Sequence, residues 1–378
     1  MDKHTQIELL SELLALHTQK SPYLDQRWER ADCQRYHCAD FFAREQARIS
    51  RKLPQIVAHR SELPSPGSFQ TVELAGCSII LIRGEDEVAR AFYNVCRHRG
   101  AQLVQDEKGC ARRFSCPYHA WTYSNRGELI AVPHEKTGFP GLDRQEFALR
   151  GVPCEEYAGW VWISLDEETP IDTKAHLGSL AEDFNAFSDV EHVVFSTTVR
   201  DARANWKLLV EGGIESYHFR VAHKKTIAPL FQDNLSSYRC FGPHMRSILP
   251  RSTLHELREQ EQGQWNIRQH TNILYSLFPG SQFLVQEDHF IWIRGIPVAP
   301  DHTRLRLSTV VPKDLCTSER QSYWQKNHAL TMTTLNEDFD LAEGIQAGIK
   351  SGANPHLNFG RFEGALAEFN RCVDEAIA

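Results

Sequence analysis

Cys96-Arg97-His98 is followed, after seventeen residues, by Cys116-Pro117-Tyr118-His119. Each run supplies one cysteine and one histidine, and two such loops can close a metal site with four ligands. Zinc sites usually use Cys-x-x-Cys or His-x-x-x-His pairs, whereas a two-iron, two-sulfur cluster can take two thiolates on one iron and two imidazoles on the other. The mixed pairs therefore favour the iron–sulfur cluster. A zinc site is the first alternative, and unrelated buried cysteines with exposed histidines are the second.

The chain around these loops is rich in short runs typical of β-strands. They are FQTVEL from Phe69, SIILIR from Ser78, ARAFYNV from Ala89 and WVWISL from Trp160. Glycine, asparagine and aspartate turn signals separate them, so we expect a small β domain over residues 51–166. A polar, proline-bearing segment begins at Asp166 and is typical of a linker.

The flanking parts of the chain indicate a second domain. Residues 1–50 have helical spacing of apolar positions and are expected to pack with residues 167–378. That second segment contains strand-like runs, namely NILYSLF, QFLVQEDHFIWIRGIPV and TRLRLSTVV, and helical spacing over 318–350 and 358–376. An antiparallel sheet with long helices packed on it fits this order.

Length and composition exclude several classes of protein. A chain of 378 residues can form two domains, each with its own core. The formal net charge of -7 and the lack of a long basic cluster exclude nucleic acid as a partner. No run is apolar enough to span a membrane and no signal peptide is recognisable, so we expect a cytoplasmic protein. Ten irregularly spaced cysteines indicate reduced thiols rather than a disulfide framework.

A second metal-binding pattern lies in the run from Asn205 to His223. Glu215 and His218 would share one face of a helix, and a bend just after His218 can bring His223 to the same metal. Ferrous iron that reacts with dioxygen is commonly held by two histidines and one carboxylate. The third ligand would come from the acidic residues of a later helix, and spacing alone leaves Glu337, Asp338 and Asp340 open.

The two motifs in this order, with Asn205-Trp206-Lys207 opening the second, resemble the large (alpha) subunits of Rieske-type aromatic-ring-hydroxylating oxygenases. The resemblance covers nearly the whole chain and implies an α+β fold, with an N-terminal all-β Rieske [2Fe-2S] domain and a catalytic helix-grip-like domain of antiparallel sheet and long helices. It also implies two ligand sets: Cys96, His98, Cys116 and His119 for the cluster, and His218, His223 and Asp338 for a mononuclear Fe(II), the last through an Asp-x4-Glu-x2-Gln pattern.

The resemblance gives Glu215 the role of a bridge between the two metal centres. In the family an acidic residue at this position joins the centres across a subunit interface, here with His119 as the partner, in a head-to-tail homotrimer. Two positions depart from the usual pattern. The bridging residue is most often aspartate in ring hydroxylases and glutamate in oxygenases of quaternary ammonium compounds, and Gly212 or Gly213 replaces a common asparagine.

The implied function is that of a terminal oxygenase component that uses O2 to hydroxylate an aromatic substrate. The chain has no dinucleotide or flavin fingerprint, so a separate NAD(P)H-dependent reductase or ferredoxin would deliver the electrons. Monooxygenation or demethylation of a carnitine-like quaternary ammonium compound is the alternative, followed by a Rieske electron carrier without oxygenase activity and a zinc-stabilised interaction protein. Candidate residues for an aromatic substrate pocket are Phe219, Tyr275, Phe278, Phe283 and Phe290.

Overall fold

The computed structural model describes residues 1–378. The strands are β1 (Glu29–Asp32), β2 (Gln55–His59), β3 (Ser68–Leu74), β4 (Cys77–Arg83), β5 (Ala89–Tyr93), β6 (Lys108–Cys110), β7 (Arg113–Ser115), β8 (Thr122–Ser124), β9 (Leu129–Ala131), β10 (Gly151–Val152), β11 (Cys154–Tyr157), β12 (Trp160–Ile163), β13 (His192–Ala202), β14 (Ser237–Phe241), β15 (His244–Pro250), β16 (Thr271–Leu277), β17 (Ser281–Val285), β18 (Phe290–Ala299), β19 (His302–Pro312) and β20 (His356–Phe359). The helices are α1 (Lys3–Gln19), α2 (Ala39–Glu45), α3 (Glu135–Gly138), α4 (Thr173–Leu177), α5 (Leu180–Asn185), α6 (Trp206–Gly213), α7 (Phe219–Ala222), α8 (Ile267–His270), α9 (Gln321–Lys350) and α10 (Gly364–Ile377).

The chain forms two compact units, and the first unit is discontinuous in sequence. Residues 1–49 and 177–378 make up one unit, and residues 50–176 make up the other. The expected boundary at 166/167 therefore lies earlier than the observed one. The intervening segment belongs to the β-rich unit because the backbone N–H of Thr173 donates to the Glu155 carboxylate at 2.8 Å.

The β-rich unit consists of antiparallel sheets with strand orders β10-β5-β4-β3-β6, β11-β12-β2 and β7-β8-β9. The central strand β4 has two buried faces: Ile79 and Leu81 belong to one apolar cluster, while Ile80 and Ile82 belong to another. A strand buried on both faces needs apolar residues at successive positions, which explains the uninterrupted run in SIILIR. The second cluster also contains Cys96 and Cys116, so the metal-binding loops lie on this core.

The other unit is built on a seven-stranded antiparallel sheet with the order β13-β19-β18-β17-β16-β15-β14. Successive side chains of a strand point to opposite faces. Helices α6 and α9 cover the face that carries Gln282 and Thr309, since Gln282 bonds to the Val210 carbonyl oxygen and Thr309 to His328 of α9. Helix α5 covers the opposite face, where Phe184 packs on Phe283.

Hydrogen bonds of Asn205 and Gln346 join α6 to α9. The side chain of Asn205 caps α6 by accepting a hydrogen bond from Lys207 N–H at 3.0 Å. The backbone N–H of Asn205 donates in turn to Gln346 Oε1 at 2.8 Å, and Gln346 Nε2 donates to the carbonyl oxygen of Tyr36. The glutamine of the Asp-x4-Glu-x2-Gln pattern thus positions α9 against the start of α6.

The α+β class with antiparallel sheets is confirmed. The helix predicted over 358–376 is wrong in its first part, because residues 356–359 form β20 and pair with β1 before α10 begins at Gly364. The predicted helix over 318–350 corresponds to α9. No helix of the model has the combined length and apolar character that a membrane span requires.

Candidate metal centres

Two loops of matching shape present the cluster motif. In each, the amide four residues after the cysteine donates to that cysteine's carbonyl oxygen at 2.9 Å, from Gly100 to Cys96 and from Ala120 to Cys116. Gly100 and Ala120 both have left-handed backbone conformations, with φ of 78° and 56°. Glycine takes this conformation without steric cost and alanine does so at some cost. The two tight turns bring both Cys-to-His runs to one end of the β-rich unit.

The four candidate cluster ligands divide into a buried pair and a half-buried pair. The side chains of Cys96 and Cys116 are 2% and 4% exposed, and neither forms a disulfide. The rings of His98 and His119 are partly exposed and lie next to each other, with centroids 4.8 Å apart. Nδ1 of His119 is buried without a hydrogen-bond partner. Two adjacent thiols beneath two adjacent imidazoles fit a cluster whose two irons take different ligands.

Tyr123 is a neighbour of the cluster loops that sequence reasoning did not identify. Its hydroxyl accepts a hydrogen bond from Arg97 N–H at 3.0 Å and lies 3.4 Å from Cys96 Sγ, to which it can donate. Burial and the nearby Cys96 raise the pKa of Tyr123, so the hydroxyl keeps its proton. No spacing rule connects a tyrosine on β8 with a cysteine 27 residues earlier.

The second candidate centre combines His218, His223 and Asp338. Nε2 of His223 lies 2.9 Å from Oδ1 of Asp338, and Nε2 of His218 lies 3.3 Å from the same oxygen. The three donor atoms are within 4.8 Å of one another. Nε2 of His218 is buried but makes no hydrogen bond. A buried nitrogen aimed at a carboxylate and a second imidazole fits a two-histidine, one-carboxylate iron site.

The local fold around these histidines differs from the predicted helix with a bend. Helix α6 ends at Gly213, so Glu215 lies in an irregular segment rather than on a helix. His218 and His223 flank the single turn α7, in which Ala222 N–H donates to the His218 carbonyl oxygen at 2.9 Å. A side chain at Gly213 would place its Cβ 2.9 Å from the Gln282 amide, so Gln282 would have to move to accommodate it.

Carboxylates hold the outer nitrogen of both rings. Nδ1 of His218 contacts Glu215, and Nδ1 of His223 lies 2.8 Å from Glu337, which also accepts from Thr226. An acceptor at Nδ1 keeps the proton there and leaves Nε2 free to bind a metal. Of the three acidic candidates on α9, Asp338 therefore lies between the histidines and Glu337 lies behind one of them.

The third acidic candidate points elsewhere. The side chain of Asp340 is 73% exposed and pairs with Arg200 at 2.6 Å. Arg200 also contacts Glu343, the glutamate of the Asp-x4-Glu-x2-Gln pattern, at 3.2 Å. Both acidic residues attach α9 to strand β13 rather than contributing to the metal centre.

The electrostatics of this centre are those of a cation site. Burial alone would lower the pKa of His218, but Asp338 and Glu215 outweigh it and raise the pKa to about 10. Burial would likewise raise the pKa of Asp338, yet the attraction of the neighbouring His218 and His223 rings holds it below its usual value. An anionic set of ligands that stabilises positive charge between its members favours a divalent metal there.

The five candidate pocket residues lie in three different places. Phe219 packs on the rings of His218 and His223, with centroids 5.0 and 5.4 Å away. Phe278 contacts Phe369 of α10 and lines a separate cavity of about 10 Å³.

The other three, Tyr275, Phe283 and Phe290, belong to the opposite face of the sheet. All three pack on Phe187, which follows α5. The structure therefore places these three side chains away from Phe219, on the face of the sheet that α5 covers.

The donor arrangement also separates the two kinds of metal site. Among histidine, cysteine and acidic side chains, His218, His223 and Asp338 form the one group of three or more whose donor atoms lie within 4.8 Å of one another. Cys96, His98, Cys116 and His119 do not form such a group, as expected for ligands shared by two irons rather than one zinc ion.

Comparison with known proteins agrees with this geometry. Residues 54–153 match the family model of the Rieske [2Fe-2S] domain, and residues 189–378 match that of the ring hydroxylating alpha subunit (catalytic domain). Together, the two domains imply a Rieske cluster and a mononuclear iron, for which the residues described above are suited.

Individual relatives act on more than one class of compound. The carnitine monooxygenase oxygenase subunit of Acinetobacter pittii (strain PHEA-2) is 36% identical over 190 residues, which is 50% of this chain and 51% of the relative. The 2-aminobenzenesulfonate 2,3-dioxygenase subunit alpha of an Alcaligenes species is 32% identical over 213 residues, 54% of this chain and 51% of the relative. The chain thus spans about half the length of the curated relatives it matches.

Solved structures match over a longer stretch. The quaternary ammonium Rieske monooxygenase CntA in complex with L-carnitine has a TM-score of 0.78 and 25% identity, covering 93% of this chain and 96% of that one. The two metal-binding motifs occur in the order expected for the family, and each lies in a domain that a family model matches. The catalytic-domain model alone covers half of the chain. The chain belongs to the ring-hydroxylating alpha-subunit family of Rieske oxygenases.

Proposed function

We propose that this chain is the terminal oxygenase component of a multicomponent Rieske oxygenase. The observation that carries the proposal is the convergence of His218 and His223 on Asp338, in a chain that also holds a pair of Cys-to-His loops. When bound, the cluster supplies single electrons and the iron activates O2. A simple electron carrier has no need of the second centre.

Each side chain has a specific proposed role. Cys96 and Cys116 would hold one iron of the cluster, and His98 and His119 the other. His218, His223 and Asp338 would hold the mononuclear iron on one face and leave the other coordination positions open. The chain's own contribution is to fix the imidazole tautomers, bury the thiols and orient the substrate.

Electron delivery requires partners. We propose an NAD(P)H-dependent reductase or ferredoxin as the electron source, and a head-to-tail homotrimer in which Glu215 of one subunit faces His119 of the next. Two observations support this arrangement: Glu215 contacts His218 directly, and the ring of His119 is partly exposed, so a partner subunit can reach it while the buried Nδ1 faces the cluster. A carboxylate between two metal-bound imidazoles would orient both rings.

We propose hydroxylation of a small aromatic compound as the reaction, on the basis of the cavity beside the iron site. That cavity measures about 470 Å³, and Phe231 is the one aromatic residue in its lining. An aromatic cage for a quaternary ammonium group needs several ring faces. Oxidation of a quaternary ammonium compound is the second candidate, favoured by the glutamate at position 215 and by similarity to carnitine monooxygenase subunits.

The test uses the anaerobic protein loaded with cluster and iron. After chemical reduction, nitric oxide serves as a surrogate for O2, and electron paramagnetic resonance follows both centres while benzoate-like and trimethylammonium compounds are titrated. We expect a high-spin iron–nitric oxide signal that one class of compound shifts. Asp338→Asn should lose this signal, and Asp340→Asn, the matched control on α9, should keep it. A Rieske signal without any iron signal after reconstitution would favour the electron carrier instead.

A further inference from the structure

A cavity of about 470 Å³ lies among residues that neighbour the contacts of the iron-site candidates. Ile227 in its wall follows Thr226, whose hydroxyl donates to Glu337. The ring of Phe231 lies 5.5 Å from that of Phe219, which packs on both histidines. Leu335 precedes Asp338 by three residues on α9 and so lies on a similar face of the helix. Residues of the cavity lining therefore adjoin residues that contact the candidate iron ligands.

The lining of this cavity is partly apolar and partly polar. Its apolar residues include Ile227, Phe231 and Leu335. Its polar residues include Arg251 and the amide side chains of Asn272, Gln269 and Gln286. Arg251 pairs with Phe231 in an isolated antiparallel bridge, and directly paired residues carry their side chains on the same side, so the Arg251 side chain starts beside that of Phe231.

The guanidinium of Arg251 has no carboxylate within hydrogen-bond distance, although Glu287 and Asp288 act on it electrostatically. Its Nε and Nη2 both donate to the neutral Oδ1 of Asn272, at 3.2 and 2.9 Å. Nη1 lies 3.6 Å from the carboxylate of Glu287, which is longer than a hydrogen bond. The Glu287 side chain is 56% exposed, whereas that of Arg251 is 24% exposed. Solvent screens an exposed carboxylate, so its attraction for the more buried guanidinium is weak.

A guanidinium in this setting is suited to an anionic ligand. It stays charged because its pKa is far above neutrality, even though burial lowers the pKa of Arg251 from its ordinary value. Its planar fork matches the oxygens of a carboxylate or sulfonate, and the neighbouring amides can donate further hydrogen bonds. A purely cationic ligand would meet this arginine without the compensation of an aromatic cage.

We propose that Arg251 binds an acidic group of the substrate, a carboxylate or sulfonate, and so directs the opposite end of the molecule to His218, His223 and Asp338. The proposal rests on the proposed oxygenase function and names its substrate class. An aromatic acid and a trimethylammonium acid share this chemistry, so both are tested. Arg251 is a binding residue here and takes no part in oxygen chemistry.

The test measures dissociation constants by calorimetry on the cluster- and iron-loaded protein without O2. Two pairs of probes differ at the acidic group: benzoate against benzamide, and glycine betaine against choline. In one pair we expect the acid to bind at least tenfold more tightly than the counterpart that lacks the acidic group. The pair that shows this preference identifies the class of acid. Arg251→Gln should reduce that preference to twofold or less. A lack of preference in both pairs, or a preference that survives Arg251→Gln, would overturn the proposal.

Two further variants separate recognition from a loss of structure. Glu287→Gln removes the only carboxylate of the cavity lining and should strengthen binding of the preferred acid, an effect that damage to the fold would not produce. Arg306→Gln, on a side chain that stacks on Trp292 at the other face of the sheet, is the matched control and should leave both constants unchanged. Weaker acid binding in Glu287→Gln, or loss of the preference in Arg306→Gln, would count against the proposal.

The same preparations distinguish this proposal from the proposed function. If acids bind through Arg251 but nitric oxide gives no iron signal, the oxygenase function fails and anion recognition remains. If the iron signal appears and responds equally to the acids and to the probes without an acidic group, in wild type and in Arg251→Gln, the oxygenase function remains and anion recognition fails.

Discussion

Replacing Glu337 should weaken iron binding although this residue is not a proposed ligand. Its carboxylate lies 2.8 Å from Nδ1 of His223 and 2.6 Å from the hydroxyl of Thr226. These bonds orient the ring and fix its proton on Nδ1, which leaves the Nε2 lone pair directed at the metal. Loss of such a partner typically costs about 10- to 100-fold in metal affinity, or roughly 1.4 to 2.8 kcal/mol. Glu337→Gln should lose about 10-fold in iron affinity, because its amide oxygen can still accept a hydrogen bond from His223. Glu337→Ala should lose about 100-fold.

The assay is an anaerobic titration of Fe(II) into cluster-loaded, iron-free protein in competition with a chelator. Asp338→Asn provides the reference for loss of a direct ligand and should bind iron more weakly than either Glu337 variant. Asp340→Asn on the same helix is the matched control, because its side chain is largely exposed and contacts Arg200 instead. Equal iron affinity in wild type and Glu337→Ala would refute this account of His223.

Three other substitutions test contacts outside the iron ligands. Tyr123→Phe removes a donor to Cys96 and should lower the reduction potential of the cluster by about 40 mV in a redox titration, if the bond contributes about 1 kcal/mol. Lys207→Met leaves Glu45 buried without its countercharge and should lower the free energy of unfolding in urea by about 3 kcal/mol or more. Burial raises the pKa of Glu211 from 4.5 to about 7, so the folded protein binds this proton more tightly and stability should fall as pH rises between those values. In urea unfolding, the free energy of unfolding of the wild type should fall by about 3 kcal/mol between pH 5 and 7.5. Glu211→Gln should not show this fall.

Short-range spacing was sufficient to predict which residues of the cluster motif lie close together. Cys96 and His98 belong to one tight turn, so their relative position depends on few residues, and the same holds for Cys116 and His119. Strands with two buried faces, such as β4, were also recognisable because an uninterrupted apolar run is uncommon elsewhere.

Long-range partners could not be predicted in this way. Glu337, Asp338 and Asp340 are equally acidic and lie on one helix, and only the rotation of α9 on the sheet decides which one meets the histidines. The family resemblance selected Asp338 because a pattern reaching to Gln346 accompanies it, and Gln346 is the residue that attaches α9 to Asn205. The contact between Glu337 and His223 spans 114 residues and has no local signal.

Aromatic composition was a poor guide to the pocket for a related reason. Tyr275, Phe283 and Phe290 alternate with residues on the face that α6 and α9 cover, and both faces of this sheet are buried under helices. Burial on both sides removes the polar alternation that would distinguish the two faces. Arg251 was missed because an isolated arginine after a strand ordinarily indicates a solvated surface.

The buried ion pair between Glu45 and Lys207 affects the order in which the polypeptide can reach its final form as the ribosome extends it. Glu45 is synthesised 162 residues before Lys207, and Tyr36 is synthesised 175 residues before its hydrogen-bond partner Glu211. Residues 50–176 form a compact unit of their own and can be completed in the meantime. The contacts of Glu45 and Tyr36 with α6 cannot form until α6 has been synthesised. Residues 1–49 are therefore made first but complete their packing after residues 50–176.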